Sequence, residues 1–215
     1  MWAKLNSDKD TIEEIIVHPK SMTVDGITHP RTLFSLWTDA ERKAIGIVPV
    51  TITGTSLDSR YYIEKNEAFA IAGDKNSVVR TIGEKAADRK LADEDAKDED
   101  GNQLLHDDGS KVINYGLKTK AKRKATSDAN SLCQGFNWLI ARKVTADTAV
   151  PSDVVTYMAA VRTAHGSICT AIDNASDMDA FIALHTTTYK EDGTVDVVAR
   201  VNRWPDDSGV EGDRR

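Results

Sequence analysis

The chain has few of the residues that mark secreted or membrane-spanning proteins. Its 215 residues include two cysteines, Cys133 and Cys169, which lie far apart in sequence and outside any metal-ligand spacing. We interpret both as reduced, partly buried thiols. No stretch approaches the ~18 consecutive apolar residues of a membrane-spanning helix, and the start at Met1 lacks the apolar run of a signal peptide. We therefore expect a soluble protein that is made in the cytoplasm and has no membrane partner.

A basic surface is also missing, since the formal net charge is −6 and the pI is about 5.4. Nucleic-acid-binding proteins normally carry a basic face. The one basic run, residues 118–124 (Lys-Thr-Lys-Ala-Lys-Arg-Lys), has no interleaved aromatic residue for base stacking. We interpret it as the start of a solvated helix, not as a phosphate-binding patch, and expect no nucleic-acid partner.

Recognisable catalytic motifs are absent as well, because the sequence contains no phosphate-binding loop, dinucleotide fingerprint or nucleophile elbow. An acidic stretch near Gly101 fails as a calcium loop, since Ala96 would occupy its first ligand position. His165 and Cys169 have the spacing of one helix face and could form a nucleophile–base pair or half a metal site. The alternative is that they border a helix–helix seam. We expect no catalytic residue, metal or cofactor, with a small hydrolase or metal enzyme as a remote alternative.

The N-terminal part of the sequence is predicted to be rich in β-strands. Asp25 and Gly26 form a turn signal between two short apolar runs, as in a two-residue hairpin. Thr38 and Glu41 match a capping box, which predicts a helix over residues 39–45. β-branched and aromatic residues predict further strands at residues 2–5, 11–18, 48–53, 60–64, 68–72 and 78–82.

A polar, charged connector follows. Ala, Lys, Asp and Glu dominate residues 84–100, which we interpret as a solvent-exposed helix or a linker. Asp-Gly turns at residues 100–101 and 108–109 then predict a short hairpin or a flexible excursion.

The last third is predicted to be helical. A long helix is expected over residues 117–144, a second begins at Pro151, and a third begins at Asp177. The second helix has a one-face apolar stripe of Val154, Met158, Val161, Ile168 and Ile172. An αα-hairpin with the third helix packed on it is the simplest arrangement. A strand over 195–201 and an acidic tail over 204–215 follow, and we expect a neighbouring subunit to order the tail.

These elements predict an α+β protein with three parts. They are a small, antiparallel β-rich N-terminal module over residues 1–83, the connector over 84–116, and a helical hairpin module over 117–215.

Parts of the sequence resemble tail and tail-fibre-assembly proteins of tailed bacteriophages. Residues 37–47 (Trp-Thr-Asp-Ala-Glu-Arg-Lys-Ala-Ile-Gly-Ile) are similar to a short helix near the start of many such proteins. Residues 202–205 (Asn-Arg-Trp-Pro) resemble their Trp-Pro ending. A C-terminal helical hairpin of that group is similar at Asn137, Trp138, Arg142, Ala149, Val150, Pro151, Tyr157, Ala159, Ala160, Val161, Arg162 and Thr163. The chain departs from the hairpin pattern at residues 135–137, where Thr-Asp is usual, and at Met158, where Arg is usual.

The resemblance implies a structural component of the virion tail, such as a fibre, baseplate or adaptor subunit, that assembles with other tail proteins and with copies of itself. The alternative is a tail-fibre assembly chaperone that binds the fibre transiently. Arg142 and Arg162 could form ion pairs across the hairpin. The residues expected to anchor or form a protein interface are Trp37, Trp138, Arg142, Tyr157, Arg162 and Trp204.

Overall fold

The computed structural model describes residues 1–207 and residue 210. The chain divides into two compact units, Met1–Asp88 and Arg89–Arg215. The first is rich in β-strands and the second in helices, and each contains its own apolar cluster. The α+β fold predicted from the sequence is therefore confirmed.

The N-terminal unit consists of short strands and two short helices. Its helices are α1 (Leu33–Leu36) and α2 (Asp39–Ala44). Its strands are β1 (Trp2–Leu5), β2 (Ile12–Ile16), β3 (Met22–Val24), β4 (Ile27–His29), β5 (Ile47–Thr53), β6 (Tyr62–Glu64), β7 (Ala68–Ile71), β8 (Val78–Thr81) and β9 (Lys85–Asp88). Five of them form one sheet in the order β2-β1-β5-β8-β7, while β3 pairs with β4 and β6 pairs with β9.

One strand pair departs from the antiparallel arrangement that the sequence predicts. β5 and β8 are parallel, with Val50 beside Val78. A parallel pair needs a long connection between its strands, and residues 54–77, which include β6 and β7, provide it. Because β9 pairs with β6, the first unit continues to Asp88, beyond the predicted end at residue 83, and a helix over residues 84–100 is wrong.

The apolar core of the N-terminal unit lies on both faces of the sheet. Trp2 and Ala3 are consecutive in β1, so their side chains point to opposite faces. The ring of Trp2 packs at 4.7 Å from that of Phe34, between centroids. This face is covered by α1 and the β3–β4 hairpin, and its buried cluster is Ile16, Met22, Val24, Leu33, Phe34 and Ile47. The buried cluster of the other face is Ala3, Leu5, Val48 and Val78.

The described part of the second unit contains four α-helices and two short strand pairs. Its helices are α3 (Leu117–Gln134), α4 (Asn137–Ala146), α5 (Ser152–Asn174) and α6 (Met178–His185). Its strands are β10 (Glu94–Asp95), β11 (Ile113–Asn114), β12 (Thr188–Tyr189) and β13 (Val195–Val197). Within the described residues, no helix is long and apolar enough to cross a bilayer.

The tandem Asp-Gly turns form an ordered structure, so the hairpin alternative of the sequence prediction is confirmed. Gly101 and Gly109 have φ values of +86° and +80°, which glycine adopts without steric cost. Three backbone hydrogen bonds of 2.8–2.9 Å link Leu104 N to Ala96 O, Val112 N to Leu104 O, and Ala96 N to Val112 O. These three hydrogen bonds join the short segments around Ala96, Leu104 and Val112 into a closed ring.

The single helix predicted over residues 117–144 is wrong, because it is broken between α3 and α4. The break lies at Gly135 and Phe136, and glycine is among the weakest helix formers. It places Phe136 fully in the core, where its ring lies 5.7 Å from that of Tyr157 in an edge-to-face arrangement. Ile140, four residues after Phe136, is 44% exposed.

The rest of the helical prediction agrees with the structure. All five residues of the predicted α5 stripe are buried, and α3 packs along α5. Asp177 caps α6 by accepting a hydrogen bond from Ala180 N at 2.8 Å. The predicted strand over 195–201 is shorter, because β13 ends at Val197 and residues 200–202 form a 3₁₀ turn. Of the predicted tail, residues 208–209 and 211–215 lie outside the described residues.

Candidate protein-interaction surface

Three of the residues singled out in the sequence meet at one core in the helical unit. Tyr157 of α5 is buried in it, and Trp138 of α4 and Trp204 pack against it as half-buried side chains. The other fully or nearly buried members are Phe136, Leu139, Val154, Met158 and Val161. The two tryptophans are therefore anchors that join α4 and the segment after β13 to α5.

The two arginines of the same set have different surroundings. The guanidinium of Arg142 lies 4.8 Å from the centre of the Trp138 ring, a cation–π contact one turn apart on α4. Arg162 of α5 is exposed beside Cys133. Ion pairs across the hairpin are not formed, since within the described residues neither arginine pairs with a carboxylate. Arg142 is oriented by the Trp138 ring instead.

Trp37, the remaining predicted anchor, belongs to the N-terminal unit and lies between α1 and α2. Its ring makes an edge-to-face contact with His29 at 5.2 Å, and its carbonyl accepts a hydrogen bond from Arg42 Nη1 at 2.6 Å. The following residue, Thr38, forms the predicted capping box: Glu41 N donates to Thr38 Oγ1, and Thr38 N donates to Glu41 Oε2 at 2.7 Å. The Glu41 carboxylate accepts from both Thr38 N and Thr38 Oγ1, and these two hydrogen bonds lower the pKa of Glu41. Trp37 thus has a packing role beside a well-capped helix.

The outer side of α4 exposes apolar side chains that the sequence prediction missed. Ile140 is 44% exposed and Val144, one turn later, is 81% exposed, whereas Leu139 on the inner side is buried. We call Ile140 and Val144 the α4 apolar face. Four-residue spacing places them on one side of a helix, but the sequence could not show which side would be buried. Large contiguous apolar patches mark surfaces that contact another protein, and the α4 apolar face is a small patch of two such residues.

His165 and Cys169 do lie together on α5, with Cys169 Sγ 3.4 Å from His165 Nε2. Thr126 Oγ1 donates its hydrogen to Lys122 O, so it accepts one from His165 Nε2 at 3.0 Å. Nε2 then carries a proton and has no lone pair for the thiol proton. Burial also raises the pKa of the Cys169 thiol. His165 is therefore not placed as a base for Cys169, and a raised thiol pKa is the opposite of an activated nucleophile.

Charged side chains of α3 have local partners. Lys122 Nζ pairs with Asp173 Oδ1 at 2.7 Å, Lys124 pairs with Asp128, and the Arg123 guanidinium lies 3.7 Å from the centre of the Tyr115 ring. Among residues 1–207 and 210, no group of three His, Cys, Asp or Glu side chains is placed to hold a metal ion. Lys122, Arg123 and Lys124 of the basic run therefore contact side chains of their own unit.

The structure therefore brings Trp138, Tyr157 and Trp204 together, leaves Arg162 at the surface, and places Trp37 in the other unit. The α4 apolar face is the feature that sequence reasoning did not identify. No protein-family model matches the chain, and comparisons with curated proteins and with solved structures give no match.

Proposed function

We propose that this protein is a structural component of a bacteriophage tail, a fibre, baseplate or adaptor subunit, that acts through protein–protein contacts. The observation that carries the proposal is the shared core of Trp138, Tyr157 and Trp204. These residues belong to the stretches that resemble tail proteins and are far apart in sequence. Their contact in one core supports the interpretation that the stretches with this resemblance belong to one folded module.

The α4 apolar face supports a contact role for this module. Leaving apolar surface in water is unfavourable by about 25 cal/mol per Å², so Ile140 and Val144 gain from being covered. The face lies on the helix that Trp138 anchors, which fixes its position relative to the core. Such a surface fits an apolar surface of a neighbouring tail protein.

Quantitative mass spectrometry of purified phage particles tests the proposed function. A resident tail component is expected at a fixed number of copies per particle. If the protein is missing from particles but required for infectivity, the assembly-chaperone alternative replaces the proposal. If it is missing and dispensable, both are excluded.

Substitutions on α4 test the contact surface separately. Ile140→Asp and Val144→Asp are expected to reduce incorporation into particles at least about tenfold, because each places a charge in an apolar contact. Thr145→Asp is the matched control, since Thr145 is exposed on the same helix but off the apolar face. Equal incorporation of all three variants, with unchanged circular dichroism, would show that the face is not the contact.

A further inference from the structure

In the part of the chain that the structure describes, one edge of the five-stranded sheet lacks the usual protection against pairing with another strand. β7 (Ala68–Ile71) lies at that edge, and its four residues are all apolar: Ala, Phe, Ala and Ile. Ala68 and Ala70 are exposed, while Phe69 and Ile71 are half-buried beside the core cluster around Val78. Natural proteins usually protect such an edge with charged residues or proline.

The opposite edge of the same sheet has this protection. β2 includes Glu13 and Glu14, and Pro19 follows it. In contrast, the charged residues nearest to β7 already have partners. Glu67 pairs with Arg80, and Lys75 Nζ donates to Asp8 O at 3.1 Å.

The backbone of β7 presents donors and acceptors along this edge. Ala72 N donates to Ser77 O at 2.9 Å in the turn that joins β7 to β8. Because hydrogen bonding alternates along an antiparallel pair, Ala70 and Ala68 also direct their N–H and C=O groups toward β8. Phe69 and Ile71 therefore direct theirs away from the sheet.

We propose that β7 pairs antiparallel with β7 of a second copy of this chain, about a two-fold axis at Ala70. In this register Phe69 of each copy lies opposite Ile71 of the other, and the two residues exchange both backbone hydrogen bonds. Aromatic–β-branched pairs of this kind stabilise neighbouring strands. Their side chains extend the sheet core of one copy into the other. The alanines, Ala70 opposite Ala70 and Ala68 opposite Ala72, occupy the other face.

Charge and shape favour a second copy over an unrelated partner. No charged residue lies between Glu67 and Asp74, so the two-fold register brings no like charges together within the paired stretch. Residues 68–72 of one copy pair with the same residues of the other, as an isologous contact requires. A pairing of five residues per strand buries less than the ~800 Å² per partner of a standard interface. The dimer is therefore weak and forms at high protein concentration.

Charged substitutions of Ala70 test the pairing, because this side chain is exposed in the monomer and faces its own copy in the dimer. Analytical ultracentrifugation from about 10 to 500 μM is expected to show concentration-dependent dimerisation of the unmodified protein. Ala70→Lys is expected to weaken it at least about tenfold, since like charges directly opposite are unfavourable. An equimolar mixture of Ala70→Lys and Ala70→Glu is expected to recover dimers. Ala87→Lys, on the exposed strand β9, is the matched control.

Disulfide formation identifies the register. Directly opposite residues without mutual hydrogen bonds have Cα atoms ~4.5 Å apart, within the range of a disulfide. Ala70→Cys should therefore form a covalent dimer on mild oxidation, and Ala68→Cys, which faces Ala72, should not. A protein that stays monomeric at 500 μM, or a dimer that Ala70→Lys does not weaken, overturns the proposal. Its failure leaves the proposed tail function untouched, since that rests on the other unit.

Discussion

Phe136 and Ile140 lie one helical turn apart and have opposite environments. Phe136 is fully buried against Tyr157, whereas Ile140 is 44% exposed on the outer side of α4. Both are large apolar residues in one apolar pattern, so composition does not distinguish them. The break before α4 turns one side chain into the core and leaves the other at the surface.

We therefore expect Phe136→Ala to lower the free energy of unfolding by about 3–5 kcal/mol, because it removes apolar contacts and leaves a cavity. Ile140→Ala should lower it by less than about 1 kcal/mol, since much of that side chain is already in water. Urea unfolding followed by far-UV circular dichroism measures both. Equal costs would contradict the environments seen in the structure.

A second residue-scale expectation concerns the cap of α2. Thr38→Ala removes the acceptor for Glu41 N and should cost about 1 kcal/mol of unfolding free energy. Thr170→Ala is the control, because the Thr170 hydroxyl donates to Gly166 O inside α5 and does not cap a helix. Thermal unfolding of the two variants in parallel gives their melting temperatures. A smaller decrease of the melting temperature for Thr38→Ala than for Thr170→Ala would count against the capping box.

At the scale of elements, Gly116 shows how closely the connector approaches the start of α3. Asp93 holds this junction by accepting hydrogen bonds from Gly116 N at 2.8 Å and Thr119 Oγ1 at 3.0 Å. A Cβ atom at Gly116 would lie 2.3 Å from Ala92 O, and that atom belongs to the backbone and cannot rotate away. Glycine is required here by contact, since its φ of −71° is open to any residue.

Two glycine substitutions should consequently have opposite signs. Gly116→Ala is expected to destabilise the second unit, because the chain around Ala92 must move. Gly166→Ala should stabilise it by up to about 1 kcal/mol, since Gly166 lies inside α5 with no neighbour within 4 Å of the added carbon. Unfolding midpoints in guanidinium chloride measure both changes, and equal signs would be inconsistent with the close approach at residue 92.

For the whole molecule, carboxylates in caps and turns determine how stability depends on pH. Hydrogen bonds lower the pKa of Asp93, Asp98 and Asp177 below the ordinary value of 3.8, and that of Glu41 below 4.5. The unfolded chain therefore binds protons more readily than the folded chain in this range. The stabilisation is present above the ordinary values and is lost as pH falls through the lower folded values.

We expect the melting temperature to be nearly constant from pH 7 to about pH 5 and to fall steeply between about pH 4.5 and pH 2. Asp93→Asn should reduce the steepness of that fall, because it removes one titrating acceptor. Differential scanning calorimetry at stepped pH gives the profile, and a protein that gains stability on acidification would contradict the sign.

The sequence alone predicted most individual elements, because their signals are local. The Asp25-Gly26 hairpin, the Thr38–Glu41 capping box and the α5 stripe depend on residues a few positions apart, and each is confirmed. Composition likewise indicated a polar, charged connector between the two modules. The fold class follows from these patterns.

Only the tertiary structure decided which of the similar apolar residues are buried and which strands pair. The parallel β5–β8 pair, the β6–β9 pair and the break at Phe136 depend on contacts between distant residues. The same is true of the anchors: sequence named Trp138, Tyr157 and Trp204, and the fold brought them to one core. The exposure of Ile140 and Val144, and the unprotected edge of β7, have the same origin. A periodic pattern specifies a face, but burial depends on what packs against that face.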